Sequence, residues 1–288
     1  MTVETPPSVR KRPALFRALG NREPPAEVIV AGKLYRRAEV FKHDSWAATA
    51  TYADQDAELI VCKFNRVQSI LGLPMKWLGR AASAREAGFL RQLSDVGFVP
   101  RDLGPVTAAG RLLPNAVARS YIDGDVFRDA QQVDARFFDA LQSLIAVIHE
   151  RGIAYVDLHK RENIVVGRDG LPHLIDFQVS LGLSKRWPGS GRLARFLVAK
   201  LQEIDDYHLR KHIARCIPET LTAEERVRFR EPPSIIRWHR TLFVPLRSLR
   251  RRLLVALRIR GSGGQAHSEA EPEVAFRPPG TAHNRGDR

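Results

Sequence analysis

The chain has 288 residues, 46 Lys and Arg against 32 Asp and Glu for a net charge of +14, and 44% hydrophobic residues. That is enough apolar material for one domain of ordinary size plus tails, and the excess of positive charge favours an anionic partner such as a nucleotide, a phospholipid, lipopolysaccharide or nucleic acid. Two cysteines, Cys62 and Cys216, exclude a disulfide framework, and there is neither an apolar leader nor an apolar run of roughly 18 residues, so the expectation is a monomer of the reducing cytoplasm.

In chain order, residues 1–30 are rich in Pro and Arg without a period, and are expected to form a flexible basic arm with one short helix near 14–19. Residues 34–41, 46–52 and 58–65 then alternate well enough for three antiparallel strands, joined by Lys42-His43-Asp44-Ser45 and by a polar turn at 53–56. Lys63 is the lone base in the apolar run ELIVCKFN. Residues 66–79 read as an insertion bearing Ile70, Leu71, Leu73, Met75, Trp77 and Leu78, an extra helix for packing on the domain or on a partner. The spacing of Ala84, Ala87, Phe89, Leu90 and Leu93 predicts a helix over 80–93. Its only acid, Glu86, either closes a Ser83-x-x-Glu86 capping box or pairs with a cation elsewhere. A strand pair broken by Pro114 and Asn115 leads into Ser120-Tyr121-Ile122-Asp123-Gly124-Asp125, where Gly124 permits a turn. Phe138, Leu141, Leu144, Ile145 and Ile148 predict a helix over 137–151, closed by Gly152.

The stretch 155–181, YVDLHKRENIVVGRDGLPHLIDFQVSL, carries the chemistry. A loop with Asp157, His159 and Glu162 enters two β-branched runs joined by Gly167-Arg168-Asp169-Gly170, which read as a β-hairpin. Asn163 stands at the hairpin's entrance and Asp176 at its exit, with Asp157 just upstream. Oxygen-bearing side chains so placed suit Mg2+, which takes carboxylate and amide oxygens together with phosphate.

These residues resemble the catalytic and metal-binding loops of the protein-kinase-like superfamily, whose pattern is H-R-D-x-x-x-x-N followed by D-F-G. Tyr155-Val156-Asp157 stands for the first triplet, Asn163 for the Asn, and Asp176-Phe177-Gln178 for the last. Three departures from the pattern matter. Five residues rather than four separate Asp157 from Asn163, so either the loop bulges or Glu162 faces the metal. Val156 replaces Arg, and Gln178 replaces Gly. In these respects the chain is more similar to the RIO kinases, the lipopolysaccharide-sugar kinases and the aminoglycoside phosphotransferases.

The resemblance implies an α+β, two-lobed fold, with a small antiparallel-sheet N-lobe over 31–122 and a mainly helical C-lobe over 123–233. It further implies that ATP and Mg2+ are bound. Lys63, oriented by Glu86, would hold the nucleotide phosphates, and the backbone at Ser120 and Ile122 would read the adenine edge. Asp157 would act as the base toward a hydroxyl acceptor, either a protein Ser/Thr or a lipopolysaccharide or other sugar, while Asn163 and Asp176 would hold the metal. No glycine-rich phosphate loop occurs and no G-x-x-x-x-G-K-[ST], which excludes a P-loop fold and leaves turn amides with Lys42, His43 and Ser45 to cover phosphates. The competing reading is a pseudokinase that binds nucleotide or a partner without turnover.

Residues 192–215 read as one helix or a helix pair, in which Asp205 and Asp206 either anchor the 155–163 loop or face water. No A-P-E triplet follows Asp176 at a suitable distance. The stretch from Ile235 to Arg260 has eight arginines, no acid and leucines at helical spacing. It is expected to be a basic amphipathic helix that either meets an anionic membrane surface or docks on the C-lobe. Nucleic acid is disfavoured, because aromatic residues are sparse there beyond Trp238. Residues 261–288 are expected to be a disordered tail.

Overall fold

The computed structural model describes residues 13–70, 72–128, 133–183 and 189–231. The basic stretch 235–260 and the tail 261–288 lie outside the described residues. The chain opens with strands β1 (Glu27–Val30), β2 (Lys33–His43), β3 (Ala47–Ala53) and β4 (Leu59–Asn65), followed by helix α1 (Lys76–Gln92). Next come β5 (Val106–Ala108), β6 (Arg111–Leu112) and β7 (Ala116–Ser120). All seven strands form one antiparallel sheet in the order β6-β5-β1-β2-β3-β4-β7. The remaining elements are β8 (Gly124–Val126), α2 (Ala135–Glu150), β9 (Ile153–Ala154), β10 (Ile164–Gly167), β11 (Pro172–Leu174), β12 (Leu181–Gly182), α3 (Arg192–Cys216) and α4 (Ala223–Arg230). This is a two-lobed α+β fold, with a sheet above and helices below.

The alternation in β4 sorts its side chains. Ile60, Cys62 and Phe64 enter the sheet's own core with Val28, Tyr52 and Ala118. Val61 and Lys63 take the other face, toward the lower lobe. A second core joins Phe89, Leu90 and Leu93 of α1 to Phe137, Leu141, Ile145 and Ile148 of α2, so α1 belongs to both lobes. No helix among the described residues is long and apolar enough to cross a membrane.

Several elements differ from expectation for identifiable reasons. The N-terminal segment is not a loose arm from residue 13 onward. Ala18 and Leu19 are buried, β1 pairs with both β2 and β5, and the Arg66 guanidinium donates to the carbonyls of Leu15 and Gln68 at 2.8 Å each. Backbone carbonyls gathered by a distant arginine leave no apolar period to read. Helix α1 starts four residues early because Gly79 presses on the end of β4: a Cβ there would stand 2.2 Å from the Arg66 carbonyl oxygen. Ser83 is consequently mid-helix, where its hydroxyl accepts from Asn65 Nδ2 at 2.8 Å, and no capping box forms. The α2 start is conventional, with Asp134 accepting from Phe137 N at 3.1 Å. Gly124 serves close approach rather than a turn, since it pairs with Gly167 of β10 where a Cβ would meet the Val166 carbonyl at 2.2 Å.

Candidate functional site

Between the lobes lies a cleft of about 590 Å³. Five sequence-predicted residues line it: Lys63 from β4, Glu86 from α1, and Asp157, Asn163 and Asp176 from the loops around the β10–β11 hairpin. Lys63 Nζ lies 3.1 Å from Glu86 Oε2 and 2.6 Å from Asp176 Oδ1, so one ammonium ties the sheet, α1 and the lower loop together. Burial pulls the ammonium down, yet the Asp176 and Glu86 carboxylates outweigh it and push the Lys63 pKa up to about 12. Burial alone would raise the Asp176 carboxyl, and the same ammonium holds it well below the usual range. Glu86, 1% exposed, shifts upward because burial exceeds the help it receives from Lys63.

The loop below is held by α3. Asp205, fully buried, accepts from Tyr155 N and Val156 N at 2.7 Å each and meets His149 Nε2 at 3.3 Å. Of the two aspartates singled out in α3, it is the one that anchors the loop. His212 Nε2 donates to the Leu158 carbonyl at 2.8 Å, and burial pulls its pKa down to about 4. These contacts hold Val156 at a φ of 72°, a costly left-handed conformation for a β-branched residue, and Asp176 itself sits at φ 64°. Of the five non-glycine residues with positive φ among the described residues, two thus lie at this site, Val156 beside Asp157 and Asp176 itself, where strain accompanies function. Tyr155 closes the arrangement by donating to the Ile175 carbonyl and packing edge-on against Phe177 at 5.1 Å.

The extra residue in the loop is absorbed by a 3₁₀ turn, Arg161–Asn163. Asn163 thereby stays buried, and its Nδ2 donates to Asp157 Oδ2 at 2.9 Å, while Lys160 Nζ reaches the same oxygen at 2.6 Å. The amide nitrogen is spent on Asp157, which leaves the Asn163 carbonyl as the end offered to a cation. One carboxylate, one amide oxygen, phosphate and water are a donor set that fits Mg2+. Glu162 also lines the cleft.

Two expected residues are not in the cleft. Ser120 bonds Arg101 through both its Oγ and its backbone N, and Ile122 is buried among Val61, Val126, Val165 and Ile175. Both instead line a second groove of about 540 Å³ behind the lobe junction, with Arg101, Asp123, Arg168 and His173. The physical reason is Phe41, whose buried side chain joins that apolar cluster between them and the cleft. Of the turn residues, Lys42 faces the cleft and pairs with Asp44 at 2.8 Å. His43 and Ser45 turn away to Arg17 and to the Phe16 carbonyl.

Sequence reading missed Lys160 and Arg119. Arg119, on β7 opposite Val61, is buried in the cleft wall near Glu86 and Asp176, and its Nη1 has no hydrogen-bond partner among the described residues. The signal was available: like Lys63, it is the lone base in an apolar strand.

No family model matches the chain, and no curated protein matches it. Among solved structures it is similar to the Rio2 kinase–ADP/Mg2+–phosphoaspartate complex of Chaetomium thermophilum, at 16% identity and a TM-score of 0.47 over 68% of this chain and 58% of that one. It is also similar to a second Rio2 kinase structure from the same organism, at 16% identity and a TM-score of 0.43 over 66% and 57%. The chain thus spans less than two thirds of the chains it matches.

Proposed function

We propose that this protein is an ATP- and Mg2+-dependent phosphotransferase acting on a hydroxyl acceptor. The observation that carries the reading is the interlobe triad Glu86–Lys63–Asp176, at 3.1 and 2.6 Å, set over an Asp157–Asn163 pair at 2.9 Å. A buried ammonium between two carboxylates is poised to donate to phosphate oxygens when Asp176 turns to a cation. Asp157 Oδ2 is engaged by Asn163 and Lys160, while Oδ1, with the half-exposed His159 Nδ1 at 3.5 Å, is the oxygen that would orient an acceptor hydroxyl and take its proton. Asn163 and Asp176 would hold Mg2+, which neutralises charge on the transferring phosphates. Lys160, on the same loop, adds positive charge beside Asp157. The acceptor oxygen gains the bond to phosphorus that the ADP leaving group loses.

The test is turnover and nucleotide binding by wild type, Asp157→Asn and Asp176→Asn, with protein and sugar-lipid acceptors in parallel. Asp157→Asn is expected to lower kcat by about 10²- to 10⁴-fold while leaving Mg·ATP binding intact. Asp176→Asn is expected to weaken Mg·ATP binding itself. Wild-type turnover in both variants would overturn the assignment. A second reading, nucleotide binding without turnover, is favoured by the five-residue spacing between Asp157 and Asn163 and by the lack of glycine in the Lys42–Ser45 turn. Magnesium-dependent binding with no transfer by wild type would select it.

A further inference from the structure

The apolar end of the cleft holds a protein side chain where a ligand's flat, apolar part would have to lie. A nucleotide with its phosphates at Lys63 and Asp176 must place its base within the reach of one ribose. The apolar surface that adjoins those residues and draws on both lobes is a single cluster. Val61 of the sheet stands above, Val126, Val165 and Ile175 stand below, and Ile122 closes the back. Phe41 and Ile175 belong both to that cluster and to the cleft lining, so the two spaces are continuous. Yet all six side chains are buried, with Phe41 at 5% exposure, and the cluster is packed shut.

The register of β2 explains how Phe41 came to be there. Val40 pairs with Ala50 and Lys42 with Thr49, so β2 advances two residues while β3 advances one, and Phe41 is the extra residue of a β-bulge. Val40 packs on the sheet's own core with Ala48 and Ala50, whereas Phe41 and Lys42 both face the cleft. Regular alternation allows two consecutive residues on one face only through such a break. The bulge therefore places a cation and a phenyl ring side by side, Lys42 toward the charged end and Phe41 into the apolar one.

We propose that Phe41 is the specificity residue of the base subsite: it fills the space between Val61 and Val165 in the ligand-free protein, and a purine enters by displacing it. This rests on the nucleotide reading above and adds to it. Binding at the charged end of the cleft leaves Phe41 in place, so a magnesium-bound diphosphate without a base binds at full strength whichever position Phe41 takes. A nucleoside diphosphate binds only the fraction of molecules whose Phe41 has swung out, and its apparent affinity is reduced by that fraction.

The experiment is calorimetric titration of the full-length protein with Mg·ADP and, separately, with Mg·pyrophosphate, for wild type, Phe41→Ala and Phe41→Leu. Displacing one buried phenyl ring corresponds to roughly 10- to 100-fold in apparent affinity. Phe41→Ala is therefore expected to tighten Mg·ADP by at least about tenfold, and Phe41→Leu by less, with Mg·pyrophosphate unchanged in both. Unchanged or weaker Mg·ADP binding in the variants, with pyrophosphate still bound, would overturn the gate and leave the phosphotransferase reading standing. Equal tightening of both ligands would also overturn it, because the effect would then lie outside the base subsite. Failure of all three proteins to bind either ligand would remove the nucleotide reading and the gate with it. Should Phe41→Ala fail to fold, Phe41→Leu decides by the same criteria.

Discussion

At its polar end the cleft carries Lys63, Glu86, Asp157, Asn163 and Asp176, each held by an ion-pair or hydrogen-bond partner. At its apolar end Phe41, Val61, Ile122, Val126, Val165 and Ile175 pack together, with Tyr121 against them. Charges buried between lobes need partners in fixed geometry, because an unpaired one costs several kcal/mol, roughly. Apolar side chains need only contact, so a phenyl ring and a purine are interchangeable fillings. The polar end is thus prebuilt, while the apolar end is free to exchange its occupant. The comparison teaches that in this cleft order is enforced where charge is buried and permitted to vary where it is not.

The largest effect that would break this comparison is at Lys63. Lys63→Met leaves the Glu86 carboxylate buried without its ion-pair partner and is expected to cost about 3–5 kcal/mol in denaturant unfolding. Adding Glu86→Gln should recover most of that loss without restoring nucleotide binding. Near-neutral stability of Lys63→Met would show the triad to be incidental.

Next is the pH response of the floor beneath the loop. His212 has its folded pKa depressed to about 4 from the ordinary 6.5, so the unfolded chain binds the extra proton between those values. Its contribution is complete above pH 6.5 and is lost as pH falls toward 4, by up to about 3 kcal/mol. Chemical melts of wild type and His212→Gln across that window check the sign, and the variant's profile should be flatter.

A smaller loss, about 2 kcal/mol, is expected for Asp205→Ala, which strands the Tyr155 and Val156 amides. Turnover should fall far more than stability does, since the two amide contacts that fix Val156 in its left-handed conformation are then lost. Unaltered turnover would separate the clamp from the chemistry.

The smallest stability change sharpens the contrast from the other side. Phe64, in the sheet's own core, should cost about 3–5 kcal/mol when replaced by Ala. Phe41→Ala should cost less than about 2 kcal/mol, because the space it vacates opens onto the cleft and admits water instead of remaining an empty cavity. Equal thermal shifts for the two variants would make Phe41 an ordinary core residue.

Sequence alone determined the features governed by local period and local spacing. The strands around Lys63, the helices α1 and α2, the hairpin between Asn163 and Asp176, and Glu86 as the only acid of its helix are all legible as alternation, helical repeat or a lone charge in an apolar run. Tertiary structure alone decided what depends on two distant segments meeting. The β2 bulges interrupt alternation without any residue that announces them, so Phe41 changes face unseen. Arg66 binds the N-terminal segment through the backbone carbonyl of Leu15, a group which every residue possesses and no sequence displays. Ser83 became a mid-helix residue only because Gly79 met the end of β4. Asp205 and Asp206 are chemically identical neighbours, and helix rotation against the 155–163 loop buries the first and leaves the second half exposed. A side chain's type is written in the chain, but which face it takes and whom it meets there is set by packing.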